Sequence, residues 1–410
     1  MIKTFIYKVL LRRHFWRDAT FSEIAELYVS RAIRVVALNI VSGFTSVYLF
    51  QKGYSLVFIM AFWFCFYLFK TPLSFFAAFF VARFGPKHGI LISNLLFVPS
   101  FVTLGFLPKL GIISIVVWGV FMAFSAAIYR LSYYVDFSKI KNSEHAGKEL
   151  AYMNILEKVA IGVSPIIGGI IALLFGIESV MWLAAVLFVL SALPLFKSVE
   201  PTATHQIIKL NGFPWRANAS NFLVQTGVGF DLVTTGIIWY LFIVVMIFDG
   251  QGSDIYVKLG FLSSVTIIIA LASSYMYGKL IDKRRGGELL KFSVIGNSLV
   301  HVVRPFINTP ISVAGVNFVN EAATTGYNMA FMRGMFDAAD LSGHRIIYLS
   351  ISDAISSLGS AMACLIFILC HNLIGSTNGF KMFFIIAAIY VLIIGLARFN
   401  LYKRKTFVIY

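Results

Sequence analysis

The chain has 410 residues, of which 59% are hydrophobic and only 13% charged, and its mean hydropathy is +0.85. A soluble protein of this size needs more polar surface than that, so most of the sequence must face lipid or other apolar helices. The net charge of +16 does not mark a nucleic-acid binder, because the basic residues sit in short loops between apolar runs and form no basic domain.

Residues 1–20 carry Lys3, Lys8, Arg12, Arg13 and Arg17 among Ile, Phe, Leu and Trp. They lack the uncharged apolar core and small-residue site of a cleaved signal peptide. They read as a basic amphipathic segment on the inner membrane face. At roughly 20 apolar residues per crossing, the remainder holds about twelve spans. These are predicted at 23–50, 55–82, 88–108, 111–137, 149–174, 178–197, 217–248, 256–281, 288–308, 310–337, 344–372 and 379–401. The longest linker, 198–216, carries Pro201, His205 and Pro214. It divides the chain into halves at 21–197 and 217–401, followed by a tail at 402–410. The predicted fold class is an all-α integral membrane protein of twelve transmembrane helices in two pseudo-symmetric six-helix bundles. Cys65, Cys364 and Cys370 lie in apolar runs without metal-like spacing, so neither a disulfide framework nor a metal site is expected.

Charge sets the orientation. With both termini inside, about 24 of the Lys and Arg residues fall in inner segments and about 4 in outer ones, which is a strong positive-inside bias. A multi-pass protein of the cell membrane with both termini cytoplasmic is expected.

The halves repeat. Gly147, Tyr152 and Glu157 match Gly343, Tyr348 and Asp353 at a constant offset, at the starts of spans 5 and 11. Two basic turns repeat as well: 78–89 in the first half and Tyr277–Leu290 in the second. The second keeps Gly278, Asp282 and Lys283, with one extra residue before Gly286. The first keeps Arg83, Gly85 and Lys87, with Ala78 and Ala82 where a glycine and an aspartate are expected. These turns resemble the signature of the major facilitator superfamily, a glycine, three residues, then Asp-Arg-x-Gly-Arg between helices 2 and 3. Span 5 carries Pro165-Ile166-Ile167-Gly168-Gly169 after Ser164, which resembles part of a motif of that family's antiporters. The resemblance implies a rocking, alternating-access carrier. Its cavity would be lined by helices 1, 4, 7 and 10, with Asp282 latching the inner gate.

Polar residues inside spans are costly against lipid and should face protein or a wet cavity. At about 100° per residue, Asn317, Asn320, Glu321, Thr324 and Asn328 share one arc of span 10. Glu321 falls near the midplane, where desolvation penalises its charged form. This face reads as a cavity wall with a protonatable acid, or else as a helix contact held by amides. Span 1 aligns Arg31, Arg34, Asn39, Ser42, Thr45 and Ser46. Arg34 lies deeper than Arg31 and is the better anion contact, since its guanidinium stays charged and forked; a pair with an acid such as Glu157 is the alternative. Arg130 ranks after it. Span 7 presents Asn218, Asn221 and Gln225 on one face, with Asp231 off that face and next after Glu321 as a proton carrier. Glu157 and Asp353 read as gate or interdomain acids. The stripe Asn297, His301, Arg304, Asn308 on span 9 has no place in a cavity lined by the four central helices.

No glycine-rich loop ending in Lys-Ser or Lys-Thr, paired-His motif or nucleophile elbow is present. The expectation is therefore a transporter rather than an enzyme, without cofactors. It would move a small, polar or anionic organic solute with protons, as a monomer in lipid. Proton-antiport efflux is the alternative within transport, and a non-transporting scaffold or sensor the alternative outside it.

Overall fold

The computed structural model describes residues 21–140, 146–196, 208, 211–248, 250, 252 and 254–402. The basic segment 1–20, most of the linker and the tail after 402 lie outside the described residues, as do the side chains of 21–27, Ser42, 137–140 and 146–153. No strand occurs among the described residues.

Helix α1 is built of two pieces, Phe21–Asn39 and Ser42–Gln51. It is followed by α2 (Leu56–Phe84), α3 (Pro86–Gly105), α4 (Ile112–Ile140), α5 (Ala146–Phe175) and α6 (Ile177–Ala192). In the second half, α7 starts as Trp215–Val233 and runs on through π turns at Thr234–Ile238 and Ile243–Ile247. Then come α8 in two pieces (Ile255–Ser264 and Ile267–Asp282), α9 (Gly286–Val303), α10 (Pro310–Leu341), α11 (Arg345–Ile374) and α12 (Ser376–Val391). Among the described residues, ten helices are long and apolar enough to cross a membrane. α9 and α10 are the two others, and both carry the polar stripes read from the sequence.

The two basic turns are built differently. Gly85 ends α2 at φ 89, a left-handed conformation open to glycine, and Pro86 starts α3 with its fixed φ. In the second turn a non-glycine residue, Arg284, takes φ 60. Arg284 N donates to Ile281 O and Arg285 N to Leu280 O, which closes α8 with a Schellman-type cap. The extra residue before Gly286 thus supplies the left-handed position. Gly286 itself is close-packed, since a Cβ there would lie 2.4 Å from the Tyr402 ring.

The halves meet along two crossings, α2 on α11 and α5 on α8. The α5–α8 crossing brings backbones together. A Cβ on Gly169 would lie 2.7 Å from Tyr256 O, and one on Gly260 2.5 Å from Pro165 O. Small residues permit this approach, which gains dispersion contact where lipid offers no hydrophobic drive. Gln51 Nε2 also donates to Gly252 O at 3.0 Å. The halves are therefore closed together at the end opposite the two basic turns. Aromatic side chains such as Phe69, Phe75, Phe76 and Phe79 cover the outside of α2, as a lipid-facing surface requires.

Candidate functional site: a two-lobed cavity between the halves

Two adjoining lobes, with volumes of about 650 and 580 Å³, lie between the halves. They share Arg31, Arg130, Tyr133, Tyr134, Glu157 and Tyr240. The wall draws on α1, α4, α7 and α10, and also on α2, α3, α5, α8 and α11.

The first lobe is aromatic and basic. Trp63, Phe66, Tyr67, Phe97 and Tyr129 line it with Arg31, Arg34, Lys70 and Arg130. Arg31 bonds Glu157 through Nε at 3.0 Å and Nη2 at 2.7 Å, and its Nη1 donates to Tyr129 OH. The expected Arg34–Glu157 alternative is not formed; Arg31 takes that acid. Arg34 is 4% exposed. Its Nη1 donates to Asn94 Oδ1, and its guanidinium stacks 3.4 Å from the Tyr129 ring centroid, with Phe97 at 4.8 Å. No carboxylate bonds it among the described residues. Stacking and one amide hold this cation in place, and such contacts do not neutralise it.

Glu157 and Asp353, partners in the sequence repeat, act differently. Glu157 stays within its half. Asp353, on α11, reaches across to α2 and α4. Lys70 Nζ lies 2.8 Å from both its oxygens, Ser74 Oγ donates to Oδ2 at 2.7 Å, and Arg130 Nε lies 3.2 Å from Oδ1. Two cations thus share one buried carboxylate, and Arg130 is the more exposed of the two.

The second lobe is polar. Asn317, Asn320, Glu321, Thr324 and Asn328 all line it, as their common arc predicts. Trp239 Nε1 donates to Asn317 Oδ1 at 2.7 Å. Glu321 is not surrounded by amides and hydroxyls alone. Lys158 Nζ, on α5 of the other half, lies 2.6 Å from its Oε1, and Thr325 Oγ1 donates to the same oxygen at 3.0 Å. Asp231 also lines this lobe, accepting from Tyr327 OH and bonding His301 at 2.8 Å.

Other residues sit elsewhere. Asn39 lines the first lobe and bonds its own helix at Val35 O. Ser42 begins the second piece of α1, and its side chain lies outside the described residues. Asn221 and Gln225 are corrections, being absent from the wall of either lobe. Asn221 Oδ1 accepts from Arg398 N at 2.9 Å and Gln225 Nε2 faces Met335 Sδ at 3.2 Å, so they pack α7 against the chain end and α10. At the turns, Arg83 and Lys283 are exposed, Lys87 and Gly278 are buried, and Asp282 is the last residue of α8. Sequence reasoning left Lys158 and the tyrosines of α4 without a role. The spacing Tyr129, Tyr133 was a usable signal, since residues four apart share a helix face.

The Major Facilitator Superfamily model matches residues 27–341. A crystal structure of the E. coli fucose:proton symporter FucP superposes with a TM-score of 0.61 at 12% identity, over 91% of this chain and 98% of that one. A second FucP structure, in an outward conformation, gives 0.60 at 11% identity over the same shares. No curated protein sequence matches. The family match spans well over half of the chain, and the solved structures share its fold. This chain belongs to the Major Facilitator Superfamily and is a multi-pass membrane transporter.

Proposed function

We propose that the protein moves a small organic anion with an apolar or aromatic body across the cell membrane by alternating access, coupled to protons. Arg34 carries this reading. It is a buried cation on the cavity wall whose bonding partners are an amide and aromatic rings. Its neighbourhood has charge to spare. Arg31, Arg34, Lys70, Arg130, Lys158 and Arg304 are set against Glu157, Asp231, Glu321 and Asp353. With Arg31 on Glu157, Lys158 on Glu321, Lys70 and Arg130 sharing Asp353, and Arg304 reaching Asp231 only through His301, Arg34 is the cavity-lining cation without a carboxylate among the described residues. A carboxylate docked on the guanidinium fork would supply the missing negative charge bidentately. The rings of the first lobe would pack the apolar body. Proton coupling is supported by the acids Glu321 and Asp231 on the polar lobe and by the likeness to a fucose:proton symporter.

A thermal-shift panel of aliphatic and aromatic carboxylates, with neutral sugars alongside, tests the substrate class. Carboxylates should raise the melting temperature and sugars should not. Arg34→Gln should weaken binding of the best carboxylate by about 30-fold or more, since removing one partner of a desolvated charge pair costs at least about 2 kcal/mol. Stabilisation by neutral sugars alone, or an Arg34→Gln protein that binds the carboxylate like the parent, overturns the reading. Uptake of the same compound into liposomes under a pH gradient separates a carrier from a scaffold.

A further inference from the structure

The polar stripe of α9 stands one residue behind the cavity wall. His301 and Arg304 are wholly buried, and Asp231 is 1% exposed. His301 Nε2 lies 2.8 Å from Asp231 Oδ1, and His301 Nδ1 lies 2.9 Å from Arg304 Nη1. A guanidinium can only donate. Nδ1 must therefore accept, which places the ring proton on Nε2, donated to Asp231. Both nitrogens are then engaged, and His301 cannot take a second proton while Arg304 holds Nδ1. Arg304 has a second tie, from Nη2 to Asn320 Oδ1 at 3.1 Å. Its guanidinium lies 4.7 Å from the Trp239 ring centroid and 5.6 Å from that of Phe384. Asp231, Trp239 and Asn320 line the polar lobe, whereas His301 and Arg304 do not.

The titratable groups around the pair are few. Asp231 faces it from α7. Tyr327 reaches Asp231 from α10, with Glu321 on the same helix paired to Lys158. Arg304 follows α9, and α12 supplies the apolar Phe384.

We infer that the Asp231–His301 pair is the carrier's proton-binding site and that Arg304 is its lock. When Arg304 turns from Nδ1 towards Asn320 and the lobe, Nδ1 is freed. A hydronium ion of the cavity water then gives its proton to Nδ1, its O–H bond breaking as the N–H bond forms, and leaves a water molecule and an imidazolium that still donates to Asp231 through Nε2. No other covalent bond forms or breaks. An anion held at Arg34 in the adjoining lobe attracts Arg304 in that direction across the shared cavity, so anion and proton load together. This last step alone rests on the anion reading.

Nitrogen NMR of the full chain, labelled with ¹⁵N-histidine in nanodiscs, tests the lock without a substrate. His301 is assigned by the signal lost in His301→Gln or, should that variant not fold, in His301→Asn. In the parent, His301 should be neutral with its proton on Nε2, and remain so on acidification to about pH 6, near the ordinary range of imidazole. Arg304→Gln should show the imidazolium at that pH. A parent His301 protonated on Nδ1, or an Arg304→Gln spectrum matching the parent, overturns the lock. The coupling step is read separately. Binding of the most stabilising carboxylate to the parent in weak buffer should take up about one proton per anion, because linked sites raise each other's affinity. No uptake on binding overturns the coupling. Failure of every carboxylate to bind overturns the anion reading, while the NMR result still decides the lock.

Discussion

Gly260→Ala should push the two halves apart at the end opposite the basic turns. The new methyl would lie 2.5 Å from Pro165 O and 2.8 Å from the carbon of that carbonyl. Ordinary contact begins at 3.4 Å, so the crossing must open by about 0.9 Å, the difference between 3.4 and 2.5 Å. Pro165 O is backbone and cannot rotate away as a side-chain end would. Overpacking of this kind costs about 1–3 kcal/mol. The overlap lies between α5 and α8, on opposite halves, so rocking relieves it without disturbing either bundle's own packing. A penalty of that size on the closed arrangement shifts a two-state equilibrium by roughly 5- to 150-fold. Pulsed electron-electron distance measurements between nitroxides at positions 109 and 381 read the shift. Both positions are exposed, and they lie on opposite halves at that end. The longer distance should gain population in Gly260→Ala. Gly315→Ala, where a Cβ meets nothing within 4 Å, should match the parent. An unchanged distribution in Gly260→Ala, or the same change in Gly315→Ala, would refute the reasoning.

Asp353→Asn should destabilise the protein more than Lys70→Met. The first strands the buried Lys70 and the half-buried Arg130, at a cost of about 3–5 kcal/mol, while the second leaves Arg130 on the acid; equal losses in melting temperature would contradict the shared pairing. If the proton is held by Asp231 and His301, Glu321→Gln should keep pH-driven accumulation while loosening the contact with Lys158; abolished accumulation would return the coupling role to Glu321. Asp282→Asn should slow turnover more than it weakens binding, as a latch acts on exchange between states, and an unchanged transport rate argues against a latch. A single cysteine at 284 should react with an impermeant reagent only from the cytoplasmic side, and labelling from outside intact cells would reverse the predicted orientation.

The helices were legible because apolar length acts locally. The face of α10 was legible for the same reason. A regular helix turns about 100° per residue, so five polar residues on one arc had to share a surroundings. Partners across the interface were not legible. Glu157 and Asp353 occupy equivalent repeat positions, yet one bonds Arg31 within its half and the other Lys70 across the gap. Only the docking of the bundles decides that. The lower part of α7 misled for a different reason. Asn221 and Gln225 do share a face, but that face meets the chain end and α10. Further along, the π turns at Thr234–Ile238 and Ile243–Ile247 change the angular step, so a wheel drawn at a constant step cannot place Trp239. His301 and Arg304 were seen as a stripe, and their meaning came only with Asp231 beside them.

The solitary charge of Arg34 has an electrical consequence. An elementary charge carried across the whole membrane field is worth about 2.3 kcal/mol per 100 mV. A carrier that rocks while empty takes the Arg34 cation through part of that field. With a monovalent anion seated on the guanidinium, the same movement carries no net charge at that point. Voltage would then act on the empty return through Arg34 and on the loaded crossing through the proton held at His301, so holding the membrane at different potentials would change how fast both steps run rather than how tightly the guanidinium grips its cargo.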